Sequence, residues 1–135
     1  MTRRLAWCAT ALVLGVNLSG CSSLGPDDEA AGEAAVAFHE AQRRGDGGSA
    51  CDLLIETTRT DLEQSTDQPC ETAILAESLP SAEQVVDVAA YGRNARVILD
   101  GDVVFLSVAE GRWQVSAAGC VFQANAPYDC SLSGS

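Results

Sequence analysis

Lysine is absent from this chain of 135 residues, histidine occurs once, at His39, and methionine occurs once. All eight basic residues are arginine, and against 19 acidic ones they give a formal charge of −11. Such a balance leaves no basic surface and excludes nucleic acid as a partner, because the phosphate backbone would be repelled. The exclusive use of arginine follows the pattern of GC-rich coding and carries no chemistry of its own. A single histidine cannot build a cluster of imidazole ligands, and none of the six cysteines stands in a Cys-x-x-Cys pair. Zinc sites and redox dithiols usually show that spacing, so neither a metal nor a cofactor is expected. Also missing are Gly-x-Ser-x-Gly, a phosphate-binding glycine loop and His-Glu-x-x-His, the motifs that would announce a hydrolase, a nucleotide enzyme or a metalloprotease.

What the chain does have begins at its N-terminus. Arg3 and Arg4 supply positive charge, residues 5–18 form an apolar stretch with polar Thr10 and Asn17 in it, and Ser19 and Gly20 are the small residues a signal peptidase needs. The stretch is too short to span a bilayer. The run Leu18-Ser19-Gly20-Cys21 resembles the lipobox of bacterial lipoproteins. That resemblance implies a signal peptide over residues 1–20, diacylglyceryl modification of the Cys21 thiol, cleavage before it, and acylation of the new amino group with a chain such as palmitate. It places the mature protein on the extracytoplasmic face of the cell membrane. Sec export is the default, and the Thr2-Arg3-Arg4 start leaves twin-arginine export open. The alternative is a plain secretory signal or an uncleaved helix, with Cys8 and Cys21 as ordinary cysteines. Two or three acyl chains anchor stably where one holds marginally, which makes Cys21 the expected membrane attachment. The first acidic residue is Asp27, so the mature chain keeps all 19 carboxylates, and anionic lipid would repel the run Asp27, Asp28, Glu29.

Residues 21–29 then read as an acylated cysteine with a short tether, and residues 30–135 as one small domain. On the oxidising side of a membrane the remaining cysteines, Cys51, Cys70, Cys120 and Cys130, read as two disulfides. Three pairings are possible. Cys51 with Cys70 and Cys120 with Cys130 is preferred, because each bridge closes a short loop between adjacent elements, and each could contribute about 3 kcal/mol. Pro26 with Asp27, Asp28 and Glu29 opens a helix that runs to about residue 44, with Ala34, Phe38 and Ala41 on one face and Gly45 as its stop. Ser49 and Asp52 resemble a cap for a second helix, whose Cys51, Leu54, Ile55, Thr58 and Leu62 share a face. Asp67 and Pro69 open a third, carrying Ala73, Ile74 and Leu75.

From Gln84 the period changes to two. Strands are expected over residues 84–90, 95–99, 103–109 and 112–118, joined by a turn at 91–94, a type I′ hairpin at Asp100-Gly101 and another two-residue turn at Glu110-Gly111. With those turns Val97, Val104, Leu106, Val108, Trp113, Val115 and Ala117 share the core face. The opposite face carries polar Arg96, Ser107 and Gln114 but also apolar Ile98, Val103 and Phe105.

Three N-terminal helices packed on a four-stranded antiparallel meander make an α+β fold. Together with Gly45-Asp46, Ala50-Cys51, Gly119-Cys120 and the Pro127-Tyr128-Asp129-Cys130 close, this order resembles a family of small exported or lipid-anchored actinobacterial proteins with a cystatin-like cone, the nuclear transport factor two-like superfold. The resemblance spans residues 30–130 and implies a curved sheet and an envelope address; fold does not fix activity. The expected function is binding: an acidic, lipid-anchored module that meets an envelope protein or a second copy of itself through Ile98, Val103 and Phe105, with no catalytic residue. The alternative is a small-molecule pocket, isomerase-like or cyclase-like, between the first helix and the sheet near His39 and Asp87. Helical spacing puts His39 about 100° around from Phe38, at the edge of the core near Arg43.

Overall fold

The computed structural model describes residues 26–134; the segment expected to be a signal peptide, residues 1–20, and Cys21 lie outside them. Helix α1 (Pro26–Arg43) begins with a residue that has no N–H to satisfy and continues with Asp27, Asp28 and Glu29 at the positive end of its dipole. Gly45 ends it with φ +71°. The Gly45 N–H returns to the Gln42 carbonyl at 3.0 Å and the Asp46 N–H to that of Ala41 at 2.9 Å, a Schellman closure. Its buried stripe is Ala31, Ala35, Phe38 and Ala41, and three alanines in four let the helix backbone lie close to the sheet.

Among the described residues four helices form rather than three. Asp46, not Ser49, caps α2 (Gly47–Asp52), accepting the Ser49 N–H at 3.0 Å and its hydroxyl at 2.7 Å. The expected long second helix then breaks at Leu53–Leu54 and resumes as α3 (Glu56–Thr66), followed by α4 (Cys70–Ala76). The break has a cause in the sheet. Leu54 bridges Val115, the Val115 N–H donates to the Leu53 carbonyl at 2.7 Å, and the Ile55 N–H donates to the Val115 carbonyl at 3.0 Å. A buried strand with an unpaired edge has to find partners for its amides, and that demand outweighs one more helical turn. Cys51–Cys70 ties α2 to α4 across a Cα separation of 6.1 Å, and a side chain at Gly47 would collide with the Glu71 carbonyl.

The sheet has five antiparallel strands, not four, in the order β1 (Val85–Tyr91), β2 (Asn94–Leu99), β3 (Val103–Ala109), β4 (Arg112–Gln123) and β5 (Ala126–Ser133). Because β5 pairs with β4 only from Ala117 outward, the stretch around Val115 is left for residues 53–55. Val97, Val104, Leu106 and Val115 are buried as the alternation expects, facing Phe38 and Ile74. Ala117 departs from that set. A register shift puts it opposite Phe105 while Val115 still pairs with Leu106, so Ala118, opposite Leu132, joins the core in its place.

The Glu110-Gly111 turn has positive φ at both residues, 52° and 77°, as a type I′ turn demands. Asp100-Gly101 makes a hairpin closed by the Leu99 N–H on the Asp102 carbonyl at 2.8 Å, but neither central residue has positive φ. Gly101 is there for closeness instead, since a Cβ would strike the Ser81 carbonyl. Asp100 holds the same segment, accepting the Glu83 N–H at 2.8 Å and the Gln84 N–H at 3.2 Å. Those bonds, the Glu83 amide foremost, hold the Asp100 carboxyl below its ordinary value of 3.8. A carboxyl depressed in the fold contributes stability above its unfolded pKa, and this contribution is lost as pH falls through the folded value. Asp100→Asn should therefore be less stable than wild type near neutral pH and converge with it as the pH drops below about 4, which thermal melts along a pH series would show.

Candidate functional site

His39 is interior. Its side chain is one residue beyond the stripe, yet His39 is 4% exposed, its ring meeting Phe38 edge-on at a centroid distance of 5.5 Å. The edge-of-core expectation is corrected by a partner that helical spacing could not reveal: Nε2 lies 2.9 Å from Oδ2 of Asp102, at the end of the β2–β3 turn and 63 residues away. Asp102 is buried and gathers further donors. Its Oδ1 accepts the N–H of Val103 at 2.7 Å and of Cys120 at 3.2 Å, and its Oδ2 accepts the N–H of Gly119 at 3.0 Å. Gly119, at φ +66°, turns two successive amides toward one carboxylate, a small anion nest built from β4. Because an ionised carboxylate only accepts, the proton of this contact belongs to Nε2 of the ring.

A histidine oriented by an aspartate is acid–base machinery when its other nitrogen meets a reacting atom. Here the ring borders a cleft of about 220 Å³ between α1 and the segment before β1, lined also by Gln42, Arg43, Leu79 and Ser81. Ligand pockets usually start near 300 Å³. Gln42 is already engaged, donating to the Ile74 carbonyl at 2.7 Å, and Arg43 faces Glu83 at 3.5 Å. Every oxygen of Asp102 is spent on the scaffold, so the pair works as a lock between helix, hairpin turn and β4. Asp87, the other residue expected at a pocket, is not near it. It follows an irregularity in β1, pairs across the sheet with Ile98 and faces Arg96 at 3.7 Å. Among the described residues His39 and Asp87 line separate cavities.

The apolar face does assemble. Ile98 pairs directly with Val103, and Phe105, two residues along β3, has the same side of the sheet; all three are half-buried. Phe105 meets Tyr128 edge-on at 5.1 Å, and Tyr128 meets Phe122 at 5.7 Å. Phe122 is 70% exposed and Val121 is 64% exposed. These lie on the β4–β5 hairpin, bridged by Cys120–Cys130 at directly paired positions. Residues 113–128 carry no charged side chain, in a chain that is 20% charged. That silence in the charge pattern was the available sign of this arm.

Among the described residues no group of three or more His, Cys, Asp or Glu side chains could hold a metal ion, and no helix is long and apolar enough to cross a membrane. No protein-family model matches the chain, and neither a curated protein nor a solved structure matches it.

Proposed function

We propose that the chain is a lipid-anchored extracytoplasmic binding module, which meets a protein partner through the outer face of its sheet and the disulfide-tied β4–β5 arm. The observation that carries this reading is the aromatic run Phe105, Tyr128 and Phe122, ending in a side chain that is 70% exposed. Apolar residues scattered singly on a surface need no explanation, whereas aromatics in contact on a disulfide-tied hairpin have the composition of an interface core. The anchor belongs to the same reading and rests on the lipobox resemblance at Cys21. Helices on one face of an antiparallel sheet also fit the cystatin-like, nuclear transport factor two-like resemblance, in which the outer sheet face is left for association. The filled core supports binding over a pocket enzyme, since Phe38, Ile74, Leu106 and Val115 occupy the space between helices and sheet.

A photo-crosslinking side chain at position 122 should give a discrete adduct in the native membrane, whereas one at position 110 should not. An adduct of twice the chain's mass identifies a second copy, and one of any other mass an envelope protein. Phe122→Asp should shift stability by less than about 0.5 kcal/mol, being exposed, while abolishing the adduct formed from position 105. Equal adducts from 110 and 122, or none from either, would sink the proposal.

A further inference from the structure

We propose a second docking site, on the other side of the domain and independent of the aromatic arm: the groove between α1 and β1 takes an extended basic segment of another protein, which adds as a strand to β1. The sheet order leaves β1 at an edge with β2 as its one neighbour. Its open edge can be located. The Ala90 N–H turns away from β2 to the Asp28 carboxylate at 3.2 Å, and the two-residue repeat of an antiparallel pair then puts the N–H and carbonyl of Val88 on the same open side. Asp28 thus covers the edge at Ala90, and among the described residues no further hydrogen bond covers it from Val88 back to Val85.

Alongside runs a groove of about 410 Å³ whose floor is Gly32, Val36, Ala37, Val85 and Val88. At Gly32 α1 lies against the strand, for a Cβ there would fall 3.3 Å from the Val85 side chain and 3.5 Å from that of Val88. Val86, next on the strand, is 66% exposed. The rim is carboxylate throughout: Asp28, Glu29, Glu33 and Glu40 from α1, with Asp87 where the groove continues along the strand, and no basic side chain lines it. Glu40 has Arg44 at 3.2 Å and Asp87 has Arg96 at 3.7 Å, whereas Glu29 and Glu33 have no ion pair among the described residues.

An open strand edge beside a helix, with an apolar floor, is the geometry of peptide capture by strand addition, in which backbone bonds hold the peptide and alternate side chains choose it. Charge decides the occupant. A second copy would bring the same carboxylates against these, in a chain of net charge −11, and anionic lipid would be repelled in the same way. What fits is a segment alternating apolar side chains, facing the floor, with arginine or lysine, facing the rim.

The test uses the full-length chain in zwitterionic micelles and synthetic peptides of alternating valine and arginine, or valine and glutamate, followed by backbone amide shifts. The valine–arginine peptide should shift residues of α1 and β1 and weaken as salt rises from about 20 to 200 mM. Glu29→Gln with Glu33→Gln should raise its Kd about tenfold at low salt. Val86→Lys, a change at an exposed edge position that leaves the fold intact, should abolish binding. Equal binding of the glutamate peptide, indifference to Val86→Lys, or shifts that map to Phe105 and Phe122 would each overturn the groove assignment without touching the crosslinking result for the arm.

Discussion

Cutting Asp102 back to alanine is expected to cost more than about 3 kcal/mol, since each buried donor left without an acceptor costs about 1–3 kcal/mol, and to lower Tm by more than about 10 °C. The substitution strands His39 and the amides of Gly119 and Cys120, all buried. Asp102→Asn should do nearly as badly despite its matching shape. Each carboxylate oxygen faces two donors, so the amide group of asparagine would point its own N–H at others whichever way it turns. His39→Gln should be milder, because Asp102 keeps its three backbone donors. The order Ala, Asn, then Gln in a series of thermal melts is what a lock between helix and sheet requires. Asp102→Asn melting within about 2 °C of wild type would show that the contact is incidental.

The second large effect concerns location. Cys21→Ala should move the protein wholly out of the membrane fraction or leave it as unprocessed precursor, and should abolish incorporation of a fatty-acid label. At about 0.8 kcal/mol per buried CH₂, two or more acyl chains would account for the attachment proposed at Cys21, to which an acidic domain would add nothing at an anionic surface. Label on the Cys21→Ala protein would overturn the anchor.

Strand register was legible because turns announce it: Glu110-Gly111 has the backbone its residues demand, and Ile98 falls opposite Val103 as alternation requires. Both disulfides join cysteines close in sequence, 19 and 10 residues apart, so local closure sufficed to pair them. What stayed hidden depends on distant partners. The helix expected through Leu54 breaks because Val115 needs its backbone, a fact absent from the local spacing. β5 escaped notice because Pro127 and the short turn before it obscure a strand with one buried apolar residue, Leu132. Asp102 carries no local sign of its role, since nothing near it in sequence points to His39. Glycine misled once: Gly101 marks a turn in sequence, but its role is to admit the Ser81 carbonyl.

The short bridge from Leu54 to Val115 bears on how the chain comes together in time. A chain delivered N-terminus first presents α1, α2, α3 and α4 well before the strand that completes them. Until β4 arrives, the Leu53 carbonyl lacks a donor, the Ile55 N–H lacks an acceptor, and Asp102, which precedes β4 in the chain, lacks the amides of Gly119 and Cys120. The pairing of Leu54 with Val115 closes a loop of about 60 residues, an ordering cost that is offset only when β4 is in place. Completion of this fold therefore waits on its C-terminal strands.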